Sequence, residues 1–179
     1  VSLAAARSAD DVLAALAHAL EVTELPGQPA AEAVAAHLAE QSTLLVLDNV
    51  EDSPGAADVI ADLLGAAPGL AVLLSTRERL GLYGEQVYHV PPLALPDPAT
   101  LPPGQAGVNV ALAASPALAL FVARARAAAY DFVVGTENLS TLIDLCRRLD
   151  GLPLAIELAA AHADTLSPAR MLAQLTDRL

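Results

Sequence analysis

Apolar residues recur with two different periods along this chain, and the change of period divides it. Over residues 9–20 (ADDVLAALAHAL), Val12, Leu13, Leu16 and Leu20 fall at helical spacing. Asp10 and Asp11 stand near the start of that stretch, where a helix favours negative charge. Residues 30–41 (AAEAVAAHLAEQ) predict a second helix, entered through the turn-forming Pro26-Gly27-Gln28-Pro29. Residues 43–48 (TLLVLD) and 70–76 (LAVLLST) contain unbroken apolar runs bounded by polar residues, the pattern of strands buried on both faces. Between them, residues 56–66 (AADVIADLLGA) return to helical period and stop at Pro68-Gly69. Residues 86–90 (QVYHV) are short and β-prone and read as a third strand.

Strand–helix–strand alternation predicts an α/β fold with a parallel sheet covered by helices. Ligands of such sheets gather at the carboxyl ends of the strands, and Asp48 and Arg77 both fall there. Residues 91–116 then lose any clear period and are rich in Pro and Gly, so they read as a linker or long loop. Beyond them the pattern is helical over 117–129, 138–149, 153–164 and 168–179. Ser115-Pro116 and Ser167-Pro168 each place a capping Ser before a Pro at the first helical position. Helix 153–164 is apolar nearly all round and is expected to be central. The predicted organisation is an α/β part over 1–90, a linker over 91–116 and a small all-α part over 117–179.

Composition narrows the class of function. The net charge is −12 and all nine basic residues are Arg. Such a chain repels phosphate backbones, so no direct nucleic-acid contact is expected from it. Aromatics are 3% and Trp is absent, which leaves no stacking platform for single strands. The single Cys146 excludes an internal disulfide and suits a reducing, cytoplasmic setting. No uninterrupted apolar run reaches ~18 residues and no signal peptide is visible, so no membrane span is expected. The four histidines, His18, His37, His89 and His162, match no metal-ligand spacing.

Three stretches could carry chemistry. Asp48 ends LLVLD; an acid there can hold magnesium through water, or simply cap a turn. Arg77 follows Ser75-Thr76 at the second strand tip; its guanidinium fork suits a terminal phosphate, or forms a solvated surface pair with Glu78 or Glu85. Gly151-Leu152-Pro153-Leu154 stops one helix and starts another, which backbone geometry alone requires.

In combination these stretches are more specific. LLVLDNVE, LLSTRERL and LCRRLDGLPLAIELAAA, in that order, resemble the nucleotide-binding region of NB-ARC (STAND-type) signal-transduction ATPases. Within that group the chain is similar to the bacterial branch found in LuxR-type and antibiotic-regulatory transcriptional activators, over nearly its whole length. The resemblance implies part of a P-loop NTPase sheet followed by a small helical domain. It implies ATP or ADP with magnesium as cofactor, Asp48 as the magnesium-side acid, and Thr76 and Arg77 as the sensor of the terminal phosphate. Leu152 and Pro153 would pack near the adenine. The implied partners are neighbouring domains of one polypeptide: a phosphate-loop segment, a winged helix and an effector domain. Oligomer formation in the active state is a further implication.

Two departures stand out. A phosphate loop needs glycines and a Lys, and this sequence has no Lys. Since the chain begins with Val, the loop is expected upstream of Val1 and the winged helix after Leu179; natural loss of the loop is the other reading. Without the loop-bearing strand, strands 43–48 and 70–74 are expected either to pair directly or to leave apolar edges open. ATP binding by these residues alone is expected to be very weak. Position 49, where many family members carry a second acid, is Asn49, which cannot act as a general base. Glu51 is the candidate to orient water in its place. The chain is thus expected to serve at most a slow regulatory ATPase, with a nucleotide-free interaction scaffold as the alternative.

Overall fold

A computed structural model describes residues 1–22 and 27–176. The Pro26 end of the predicted turn and the last three residues of the predicted final helix lie outside the described residues. The chain forms two compact units, Val1–Tyr88 and His89–Leu179. Among the described residues there are eight α-helices and one parallel sheet of two strands.

The first unit holds α1 (Ala9–Ala19), α2 (Ala30–Ala39), β1 (Thr43–Leu47), α3 (Ala56–Ala66) and β2 (Leu70–Leu74). Helix α1 starts where Ser8 accepts a hydrogen bond from the Asp11 amide, and the Asp11 carboxylate accepts one in return from the Ser8 hydroxyl. This reciprocal cap satisfies donors that a helix start otherwise leaves free. Strands β1 and β2 pair directly, in parallel, from Thr43 opposite Leu70 to Leu47 opposite Leu74. A parallel bridge between Ser2 and Asp48 adds a short third segment on the other edge of β1. There Leu3 donates to the Asp48 carbonyl at 2.8 Å.

Only one face of the sheet is covered. Leu45 and Leu47 join Leu3, Leu16, Leu38 and Ile60 in the core shared with the helices. Each buried Leu contributes roughly 1.5–3 kcal/mol relative to exposure. Leu44, Val46 and Leu73 point the other way and are 61%, 51% and 59% exposed. The expectation of strands buried on both faces is therefore corrected. Side chains alternate along a strand, and α1, α2 and α3 pack together around one side only. Residues 86–90 form no strand; Tyr88 and Val90 are both 84% exposed, with no backbone ladder to join.

The second unit contains α4 (Gln105–Ala114), α5 (Pro116–Ala128), α6 (Leu139–Arg148), α7 (Pro153–Ala160) and α8 (Pro168–Thr176). Its core includes Phe121, Leu142, Ile143, Leu145 and Ile156. Ser115 caps α5 by accepting from the Leu118 amide, with Pro116 behind it as predicted. Cys146 is fully buried among these residues, and burial pushes its thiol up to about 12.

Two expectations fail in this unit. Residues 91–116 are not a free linker: they contain α4, whose Val108 and Ala111 enter the core. Leu93, Leu95 and Leu101 pack against the same core. The flanking Pro and Gly residues hid a three-residue spacing of small apolar side chains. Helix α7 is not buried all round; Ile156 and Ala160 face inward while Leu154 and Leu158 are 68% and 61% exposed.

The stretch before α4 is tied in by backbone. Asp150 and Gly151 both take left-handed φ angles, 53° and 66°. This lets the Leu93 amide donate to the Gly151 carbonyl at 2.9 Å. A Cβ on Gly151 would lie 2.5 Å from the Leu93 carbonyl oxygen, so only glycine fits. Gly151→Ala is expected to cost at least about 2 kcal/mol, combining left-handed strain with a backbone clash. Urea unfolding followed by far-UV circular dichroism measures it; a loss under about 0.5 kcal/mol would show that Leu93 is not seated on residue 151.

Candidate functional site

The in-register pairing of β1 with β2 brings two loops to one edge of the sheet. Leu47 stands opposite Leu74, so Asp48 and Ser75 emerge side by side at the carboxyl ends of their strands. The Ser75 hydroxyl donates to Oδ1 of Asp48. The same hydroxyl accepts from the Asn49 amide at 3.4 Å. Asn49 adopts φ 61° and ψ 46°, a left-handed conformation that Asn tolerates better than most residues. That kink turns the chain into a short 3-10 turn, Val50–Asp52, anchored by the buried Val50.

The turn presents Glu51 and Asp52 to Arg77. Arg77 donates through Nε to Oε1 of Glu51 at 2.7 Å, and its Nη2 lies 3.7 Å from Oδ1 of Asp52. The pair is asymmetric: the Arg77 side chain is 76% exposed and that of Glu51 only 13%. The second oxygen of Glu51, Oε2, is shielded from solvent and has no hydrogen-bond partner among the described residues. The Arg77 hydrogen bond, reinforced by the backbone amide of Glu51 itself, holds the Glu51 carboxyl below its ordinary value of 4.5. Glu51 in turn raises the guanidinium further, with Asp52 adding to the effect.

Of the residues singled out in the sequence, Asp48, Glu51, Thr76 and Arg77 belong to the first unit. Glu51 and Arg77 are in direct contact, whereas the Asp48 carboxylate is held by Ser75. Thr76 turns its own loop, donating through Oγ1 to the Glu78 carbonyl and accepting from the Glu78 amide. Leu152 and Pro153 belong to the second unit, where Leu152 precedes α7 and Pro153 is its first residue. Ser75 was not singled out, although it fixes Asp48. Its signal was a small hydroxyl one place past an apolar strand, readable only once the register is known.

Among the described residues no group of three or more His, Cys, Asp and Glu is placed to hold a metal ion. The donor set therefore does not fit a metal caged by protein alone. Among the described residues no single helix is long and apolar enough to cross a membrane.

No family model matches the chain, and no solved structure matches it. Curated relatives do. An uncharacterized protein of Mycobacterium tuberculosis is 38% identical over 177 residues, covering 98% of this chain and 40% of that protein. A counterpart in Mycobacterium bovis matches to the same extent. A second M. tuberculosis protein, provisionally named an HTH-type transcriptional regulator, is 32% identical over 178 residues, covering 99% of this chain and 18% of that protein. The chain thus spans less than half the length of these relatives, and the shared stretch recurs in proteins of unequal size.

The lowered Glu51 value sets a pH dependence. A carboxylate whose folded value lies below its unfolded one contributes its full stability above the unfolded value, here about 4.5. That contribution is lost as pH falls through the lowered folded value. The Nε–H resonance of Arg77 is expected to keep its slowed exchange down to pH 4.5 and lose it only below. In Glu51→Gln the transition should vanish; its persistence would show that another acid holds Arg77.

Proposed function

We propose that the chain is a regulatory module of a longer transcriptional regulator, switched by ATP and ADP. The observation that carries this reading is the pairing of two strand tips. One bears Asp48 fixed by Ser75, and the other bears the exposed guanidinium of Arg77. A carboxylate and a cation at one sheet edge suit the magnesium and phosphate ends of a nucleotide. The provisional name of the 32% identical relative, an HTH-type transcriptional regulator, supports the regulatory setting. So does the resemblance of the LLVLDNVE, LLSTRERL and GLPL stretches to NB-ARC-type domains.

In this reading the α/β unit is part of a P-loop sheet. Asp48 would hold a water of the magnesium shell, and Arg77 and Thr76 would meet the terminal phosphate. Magnesium, when bound, neutralises phosphate charge. Glu51 is the carboxylate nearest the role of orienting water, and Asn49 supplies no second acid, so turnover is slow and nucleotide occupancy carries the signal. DNA contact belongs to other segments of the regulator, because a net charge of −12 opposes it here.

A nucleotide-free interaction scaffold is the second reading, favoured by the absence of Lys from these residues. Calorimetric titration separates the two. The 179-residue chain is expected to bind ATP with magnesium more weakly than micromolar. The longer polypeptide carrying it should bind at micromolar affinity or better, and Asp48→Asn there should weaken binding by about tenfold, the loss of one charge-mediated contact. Unchanged affinity in Asp48→Asn overturns the switch reading.

A further inference from the structure

We infer that Glu51 is an autoinhibitory latch on Arg77: it occupies the Nε side of the guanidinium, so a phosphate that takes the Nε–Nη2 edge binds in exchange for Glu51. The inference rests on the nucleotide-switch reading for what the anion is, and on the geometry of the first unit for how it is resisted. Nε of Arg77 is engaged by Glu51 at 2.7 Å, and the Nη2 side is flanked by Asp52 at 3.7 Å. A bidentate phosphate contact uses neighbouring N–H donors of one guanidinium edge. Both carboxylates therefore stand where the oxygens of a phosphate on the Nε–Nη2 edge would go.

The burial of Glu51 separates this pair from an ordinary surface ion pair. Two solvated side chains would part at little cost. Here the carboxylate is 13% exposed and sits on a turn anchored by buried Val50, while Arg77 is the solvated partner at 76% exposure. Glu51 Oε2 lacks any partner among the described residues, so Arg77 is the main compensation of the carboxylate, with the backbone amide of Glu51 the lesser one. Capture of Arg77 by phosphate removes the larger of the two and sets the carboxylate beside a second anion. Glu51 is then driven toward water, and the Val50–Asp52 turn, joined to Asp48 through Asn49, moves with it. Anion occupancy at one strand tip is thus converted into displacement of the loop at the other.

Pyrophosphate is the probe, titrated calorimetrically into the 179-residue chain with Arg77 Nε–H followed by NMR. Glu51→Gln is expected to bind pyrophosphate at least fivefold more tightly than the unsubstituted chain. Arg77→Gln in the Glu51→Gln background should abolish the gain. Asp62→Asn, which removes one charge from an exposed position of α3, controls for net charge and should change affinity less than twofold. The latch is overturned if Glu51→Gln binds no more tightly than the unsubstituted chain, if neither binds at all, or if Asp62→Asn gives the same gain. The nucleotide reading fails separately: unchanged ATP affinity of Asp48→Asn in the longer polypeptide refutes it, whatever the latch result.

Discussion

The register between β1 and β2 is the constraint on which the rest of this molecule depends. Parallel strands place their carboxyl ends at one edge, and pairing Leu47 with Leu74 sets Asp48 beside Ser75 to within a residue. A slip by one residue would carry Leu45 and Leu47 out of the core and turn Leu44 and Val46 in. Register is therefore fixed by the buried face, not by the site. The Ser75–Asp48 bond, the left-handed Asn49 and the Glu51–Arg77 pair all follow from where the core leaves the two strand ends.

How much of this was legible in the sequence depends on whether a feature is local. The helices of the first unit and both strands announce themselves by period and by apolar runs. What TLLVL does not reveal is how many faces are covered, because a run of leucines looks the same with one layer of helices or two. The 86–90 stretch has strand-forming residues but no neighbour, and β propensity without a ladder forms nothing. Helix α4 escaped notice because Pro102, Pro103 and Gly104 dominate its entry, and its core contacts are the small Ala111 and a single Val108. At the site, charges at strand tips were readable as such. Their partners were not, since Ser75 and Glu51 meet Asp48 and Arg77 across 27 and 26 residues of chain.

The second unit shows that a motif with a functional resemblance can also carry a structural duty. Gly151 in the GLPL stretch is required by the close approach of Leu93, and Ser115 reaches back to the Ala94 carbonyl at 2.9 Å. Together they bind residues 93 and 94 to the helical core on two sides. The boundary between units falls outside this tied segment, between Tyr88 and His89. Pro153 begins α7 as a helix start requires, so its presence there does not depend on a ligand.

The chemistry of the strand tips turns on how few acids are free to act. Asp48 is engaged by Ser75, Asn49 is not an acid, and Glu51 is committed to Arg77. Under the switch reading the carboxylate assigned to orient water is thus the one that restrains the phosphate-sensing cation. The two roles exclude each other in time: Glu51 becomes available only after Arg77 has left it for an anion. Slow turnover and a strong dependence of loop position on phosphate then share one origin. A module built to signal occupancy rather than to consume nucleotide gains from that arrangement, because the step that frees the carboxylate is the same step that reports the ligand.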